Sequence, residues 1–158
     1  MSIRDIELTL IDGTKTTFGA LGKGPVLVVN VASRCGLTPQ YEALEELQKK
    51  YGPRGFTVVG LPSDQFKQEL ATNEDVASYC STTWGVTFAM TEKVSVNGRN
   101  RHPIYKELVK AKDHVGLAGP VMWNFEKFLV LPDGKIERFR PTTKPDDPKV
   151  IAAIEAAL

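Results

Sequence analysis

The sequence has little of what a stapled, metal-bound or nucleic-acid-tracking protein needs. Two cysteines, Cys35 and Cys80, in 158 residues cannot build a disulfide scaffold. The only two histidines, His102 and His114, add no spacing typical of a zinc site, and neither metal nor other cofactor is expected. Neither sign of charge dominates: 20 Lys and Arg face 19 Asp and Glu, for a net charge of +1. Without a basic block to track a phosphate backbone, nucleic acid is not an expected partner. No apolar run approaches membrane-spanning length, and Met1-Ser2-Ile3-Arg4-Asp5 carries no apolar core of a signal peptide, so the cytoplasm is the expected address, without membrane insertion. In such a reducing compartment a cysteine pair is either inert core or redox chemistry. Internal repeats, low-complexity tracts and linkers are also lacking, which predicts one domain over residues 1–158, long enough to bury a core unaided.

What is there is an alternation of strand and helix signals. Glu7–Leu10 and Thr14–Phe18 flank Asp12-Gly13, a dipeptide suited to a tight turn, and read as an N-terminal hairpin. Val26–Val31 is a continuous β-branched and apolar run, the pattern of a strand covered on both faces. Tyr41, Leu44, Leu47 and Tyr51 then recur at helical spacing, with Pro39 in the first turn and Gly52-Pro53 as the stop. Phe56–Leu61 is a second buried-type strand, and joining it to the first through a helix predicts a parallel pair. A helix over Asn73–Thr83 follows, then Lys93–Val96 before an Asn97-Gly98 turn, and a short helix from Pro103. Glu126–Val130 and Lys135–Phe139 form a hairpin around Pro132-Asp133-Gly134, and a last helix starts at Asp147-Pro148. A β-α-β crossover, a hairpin and a final helix give an α/β chain in the order of the thioredoxin fold, an order that several α/β folds share.

Cys35 falls between the first core strand and the first long helix. A thiol there faces unpaired backbone N–H groups and the positive end of the helix dipole, with Arg34 beside it, which favours the thiolate that attacks a peroxide oxygen. Taken alone it is equally a small buried hydrophobe. Cys80 is too distant in sequence for a Cys-x-x-Cys motif, and Thr38 occupies the position three after Cys35, so the chain is no ordinary thioredoxin.

Three blocks carry a resemblance: Asn30-Val31-Ala32-Ser33-Arg34-Cys35-Gly36-Leu37-Thr38-Pro39-Gln40-Tyr41, Gly60-Leu61-Pro62-Ser63-Asp64-Gln65-Phe66 and Trp123-Asn124-Phe125-Glu126-Lys127-Phe128. With smaller matches at Gly85–Phe88, Lys93–Gly98 and Arg101–Tyr105, the chain resembles the glutathione peroxidase family in its cysteine-containing, non-selenium branch. The resemblance implies a thioredoxin fold with a central mixed sheet flanked by helices. It implies that Cys35 is the peroxidatic residue and that Gln65, Trp123 and Asn124 complete the active-site group; amide and indole N–H groups can donate to a thiolate and to the leaving oxygen. It also implies that Cys80 is the resolving cysteine, condensing with oxidised Cys35 to a disulfide that thioredoxin recycles, which requires local opening of the Cys80 helix if the reduced thiols stand apart.

Several features depart from the family pattern. Ser63 stands where relatives often have a cysteine, leaving Cys80 as the candidate disulfide partner, and Asp64 replaces an asparagine, placing a carboxylate near the active loop. Ala89 replaces a proline and releases a backbone constraint. The short stretch from Asp113 to Met122 lacks the longer segment of tetrameric, glutathione-gripping relatives, so a monomer, or a weak dimer, without a preformed glutathione pocket is expected. The site is expected to be shallow and mostly uncharged, taking hydrogen peroxide and varied organic hydroperoxides. His102 and His114 are assigned surface or packing roles. The competing readings are a glutathione-dependent single-cysteine peroxidase, a redox sensor that passes oxidation to a protein partner, and an inactive scaffold.

Overall fold

A computed structural model describes residues 2–158. The N-terminal hairpin pairs β1 (Glu7–Thr9) with β2 (Lys15–Thr17) in antiparallel register. The main sheet follows with β3 (Val26–Val31), helix α1 (Gln40–Tyr51), β4 (Thr57–Pro62), α2 (Asn73–Trp84), β5 (Ala89–Met90), α3 (Pro103–Leu108), β6 (Lys127–Val130), β7 (Ile136–Phe139) and α4 (Pro148–Ala156). Its strand order is β5-β4-β3-β6-β7. The β3–β4 and β4–β5 pairs are parallel, and the β3–β6 and β6–β7 pairs antiparallel, a mixed sheet as expected.

All six residues of β3 are buried, because both faces of the sheet are covered. Alternation along the strand sorts its side chains. Leu27, Val29 and Val31 pack with Tyr41, Leu44, Leu47 and Tyr51 of α1, Val76 and Cys80 of α2, and Val150 and Ile154 of α4. Val26 and Val28 face the other side, toward Leu8 and Phe18 of the N-terminal segment and Ile104, Tyr105 and Leu108 of α3.

Helix ends follow side-chain chemistry. Thr72 caps α2 by accepting from Asp75 N at 3.1 Å, and Asp147 caps α4 by accepting from Lys149 N at 2.8 Å. The α-helix stops at Tyr51 with Gly52 as its C-terminal cap, as the Gly52-Pro53 pair predicts, and a 3₁₀ turn over Gly52–Arg54 follows until Gly55, at φ 98°, ends it. Lys93–Val96 is not a strand. The donors that a ladder would pair go instead to the Asn73 side chain (from Lys93 N), the Pro62 carbonyl (from Val94 N) and the Gln65 side chain (from Val96 N). The sheet edge is instead the two-residue β5, so Ala89, where a proline was expected, is held by pairing with Val59. Among the described residues no helix is long and apolar enough to cross a membrane.

Candidate active site

Three segments converge at one end of the central strands. The loop after β3 carries Cys35, the loop after the parallel β4 carries Gln65, Gln68 and Glu69, and the turn entering the antiparallel β6 carries Trp123 and Asn124. Ligand sites of open α/β sheets commonly lie outside such strand ends.

The Cys35 loop is clasped by its own side chains. Thr38 Oγ1 accepts from Cys35 N at 3.0 Å and donates to the Ala32 carbonyl at 2.9 Å. Helix α1 starts only at Gln40, after successive turns from Cys35, so the helix terminus is not at the sulfur as expected. The backbone N–H of Leu37 reaches it instead, at 3.4 Å from Cys35 Sγ, a donor that can stabilise developing negative charge. Cys35 is buried, 7% exposed, while the neighbouring Arg34 lies in solvent. Both cysteines are free thiols.

Asn30, at the penultimate position of β3, ties the Trp123–Glu126 turn to this strand end. Its Nδ2 donates to the Trp123 carbonyl at 3.1 Å, its Oδ1 accepts from Glu126 N at 3.0 Å, and its carbonyl accepts from Phe125 N at 2.6 Å. The turn is a strained one: Phe125, fully buried, sits at φ 66°, where a bulky residue is held only by its surroundings. Part of that hold is Lys127, whose buried ammonium donates to the carbonyls of Phe125 at 2.6 Å and Pro141 at 3.1 Å. Burial pushes Lys127 down to about 7, against an upward pull from Glu126. Glu126 in turn forms a fully buried pair with Arg138 and accepts from Arg140, which also binds Asp113. Asn30, Glu126 and Lys127 fall within the blocks that carry the resemblance, but no local pattern assigns them these tasks; polar residues in or beside otherwise buried strands are their signal in the sequence.

The other expected site residues divide. Asn124 is fully buried, its Nδ2 donates to Gln68 Oε1 at 3.0 Å and its Oδ1 has no partner among the described residues. Gln68 also accepts from Arg34 N at 2.8 Å through its carbonyl, linking Asn124 to the residue beside Cys35. Trp123 is half open to solvent and packs on Phe66 with ring centroids 5.3 Å apart. Gln65 does not aim its amide at Cys35. Its Nε2 donates to the Asn97 carbonyl at 2.9 Å and its Oε1 accepts from Val96 N and Asn97 N, while the Asn97 side chain bonds Val121 in both directions. Gln65 therefore braces the 96–97 turn against the segment leading to Trp123. An open depression of about 290 Å³ beside it is lined by Asp64, Lys67 and Lys93, so this flank carries charge, unlike the uncharged surface expected. Asp64 accepts from Glu69 N at 3.3 Å and stiffens the loop.

Cys80 lies inside α2, 1% exposed, in the same apolar cluster as Cys35 and Tyr41. Burial pushes its thiol up to about 11; the charge of Glu69 adds to this and the Tyr41 hydroxyl opposes it. His102 caps α3 by accepting from Ile104 N at its Nδ1, and His114 packs on Phe139, the packing roles expected of them.

The sequence profile of the glutathione peroxidase family matches residues 3–109. The chain is 46% identical to the thioredoxin/glutathione peroxidase BtuE of Escherichia coli, over 94% of this chain and 92% of that one. It is 45% identical to the hydroperoxy fatty acid reductase Gpx2 of Synechocystis, with 96% of both chains covered, and 48% identical to the glutathione peroxidase-like peroxiredoxin HYR1 of Saccharomyces cerevisiae, covering 84% and 83%. The crystal structure of Trgpx in apo form superposes with a TM-score of 0.76 at 36% identity, over 99% of this chain and 95% of that one. That of T. cruzi GPX1 superposes with a TM-score of 0.77 at 28% identity, over 99% and 96%. A mixed sheet that delivers a cysteine loop and a Trp-Asn turn to one end of its central strands, in a chain so similar along its length, makes this protein a member of the glutathione peroxidase family, in its cysteine-containing branch.

Proposed function

We propose that this peroxidase reduces hydrogen peroxide and organic hydroperoxides through Cys35, with Cys80 as the resolving residue and thioredoxin as the reductant, acting as a monomeric single domain in the cytoplasm in defence against oxidative stress. The observation that carries this reading is the Cys35 sulfur on a clasped loop, with a backbone N–H directed at it and the Trp123-Asn124 turn tied by Asn30 to the strand that carries the loop. The Cys35 thiolate attacks the distal peroxide oxygen, the S–O bond forms as the O–O bond breaks, and the leaving oxygen departs as water or alcohol after taking a proton. Asn124 and Trp123 supply N–H donors for the charge that moves onto that oxygen. Gln65 joins them on releasing the 96–97 turn, and otherwise holds the Trp123 segment in place. Cys80 then displaces hydroxide from the Cys35 sulfenic acid, and a dithiol donor returns two electrons.

Intact mass and peptide mapping after one equivalent of hydrogen peroxide test the cycle. Loss of two hydrogens with a Cys35–Cys80 crosslink is expected, and turnover with thioredoxin should follow; unchanged reduced protein would overturn the reading. The buried, reluctant thiol of Cys80 favours one second reading, a single-cysteine cycle in which glutathione attacks the sulfenic acid. Fast turnover of Cys80→Ser with glutathione would establish that instead.

A further inference from the structure

Glu69 is a buried carboxylate with half of its hydrogen-bonding capacity unused. It is 7% exposed; its Oε1 accepts from Ser33 N at 3.0 Å and from Leu70 N at 2.8 Å. Its Oε2 is buried without a partner among the described residues. An unpaired buried carboxylate oxygen is costly and points to a task. Burial raises the Glu69 carboxyl, with the Ser33 and Leu70 hydrogen bonds and Lys93 pulling it down. Its charge in turn is felt by Cys80 and by Tyr41. The bond to Ser33 anchors the carboxylate two residues from Cys35. Wherever α2 carries Cys80 during oxidation, the two sulfurs must meet at the Cys35 loop, and Glu69 is already fixed there.

We propose that Glu69 is the proton acceptor for the Cys80 thiol when it attacks oxidised Cys35, with the Tyr41 hydroxyl orienting that thiol. This rests on the reading of Cys80 as the resolving residue. The Cys80 S–H proton passes to Glu69 Oε2 and the Cys80 sulfur attacks the Cys35 sulfur. The S–S bond forms, the S–O bond of the sulfenic acid breaks, and the departing hydroxide takes the proton from Glu69 and leaves as water. Cys80 is oxidised and Cys35 reduced to the common disulfide level, so no outside reactant is needed. A base matters here because a thiol at about 11 supplies only about one thiolate in ten thousand at neutral pH. The other ionisable groups around it are Asp64, whose carboxylate is engaged by Glu69 N, Lys93, whose ammonium lies on the Leu70 and Ala71 carbonyls, Tyr79 on α2, and Cys35 itself.

The test is Glu69→Gln, which keeps an oxygen for Ser33 N and Leu70 N and removes the base. Sulfenic acid and disulfide are each followed by quenched mass spectrometry after one addition of hydrogen peroxide, from about pH 5 to pH 10. Sulfenic acid formation should match the parent protein, which also reports an intact Cys35 loop. Disulfide formation in the parent should rise with pH and level off once Glu69 is ionised. In Glu69→Gln it should be roughly a hundredfold slower at neutral pH and climb with pH without levelling. An equal or faster rate with an unchanged profile would overturn the assignment, since removing a carboxylate that merely repels a thiolate speeds resolution. A parent rate that climbs without a plateau would overturn it too, whether or not the variant folds. Failure of the parent to form any Cys35–Cys80 disulfide would instead overturn the resolving role of Cys80, and this inference with it.

Discussion

Asn30→Leu isolates the joint between strand β3 and the Trp-Asn turn. The substitution keeps the side chain's approximate size and the backbone bond from Phe125 N, but deletes both amide bonds. The Glu126 N–H it abandons is buried, whereas the Trp123 carbonyl is only partly so. Leaving a buried polar group unpaired costs about 1–3 kcal/mol, so about 2 kcal/mol for the amide and about 1 for the carbonyl give about 3 kcal/mol. For a chain of this size that is a fall of about 6–12 °C in Tm. Added apolar burial by Leu offsets little, because the site is already closed. Chemistry should suffer beyond stability: freeing the turn shifts Trp123 and Asn124 relative to Cys35, and a displacement of about 1 Å in such a group costs up to a hundredfold. Thermal unfolding by circular dichroism and stopped-flow oxidation of Cys35 by hydrogen peroxide measure the two effects separately. A Tm within about 2 °C of the parent, together with an unaltered oxidation rate, would refute the argument that Asn30 joins fold to site.

Lys127→Met tests the buried ammonium through pH. With its folded value held near 7, below that of the unfolded chain, the lysine binds fewer protons folded than unfolded between about pH 7 and pH 10, so its contribution to stability grows as pH rises through that window and is least below it. Urea unfolding of parent and variant should show the parent gaining relative stability by a few kcal/mol from about pH 6 to pH 10; a constant difference would mean the amine stays charged when buried. Thr38→Val removes the clasp on the Cys35 amide and the Ala32 carbonyl, and should cost about 1–3 kcal/mol and slow sulfenic acid formation, read by thermal melts and stopped flow. In Cys80→Ser the sulfenic acid should accumulate and bind dimedone. Hydrogen exchange over 73–84 should accelerate on oxidation of the parent and stay unchanged in this variant; equal exchange in oxidised and reduced parent would count against opening of α2.

The elements that sequence reading found are those whose signal is local. β3, β4, the β6–β7 hairpin, α1 and α4 each announce themselves through apolar period, caps or turn residues within a dozen positions. β5 does not, because two edge residues carry no period, and Lys93–Val96 imitates a strand while its donors go to side chains and a strand end elsewhere. Resemblance points to Cys35, Trp123 and Asn124, which the fold brings to neighbouring strand ends, but not to the residues that support them. Ser33 meets Glu69 across 36 positions and Asn30 meets Glu126 across 96, pairings that only the folded sheet creates. Glu126, Lys127 and Arg138 are charged yet buried, a placement no local pattern signals, because their partners come from the opposite strand, from segments before β6 and from Pro141 after β7. The same limit explains Gln65: its residue type fits donation to a sulfur, and only the fold reveals that the 96–97 turn has claimed its amide.

The two cysteines differ in how firmly the fold holds them, and that difference fits a cycle with one stationary and one moving sulfur. On the Cys35 side, the loop is bound by Thr38 to Ala32, by Arg34 to Gln68 and by Ser33 to Glu69, bonds that join it to its own strand end and to the loop after β4. On the Cys80 side, α2 is twelve residues long and fully buries Val76 and Cys80, with Tyr79 and Trp84 half-buried against the same cluster. A helix of that length is marginal by itself, and full burial of two such side chains contributes about 3–6 kcal/mol, within reach of local opening. Cys80 is thus one of the two fully buried anchors of its own helix. Under the proposed cycle, drawing its sulfur into a bond with Cys35 would remove that anchor, so disulfide formation and loosening of α2 are expected together. In the proposed cycle the reduced protein would shield its second thiol until a sulfenic acid exists to capture it, and oxidation would loosen a segment through which a dithiol reductant reaches the bond.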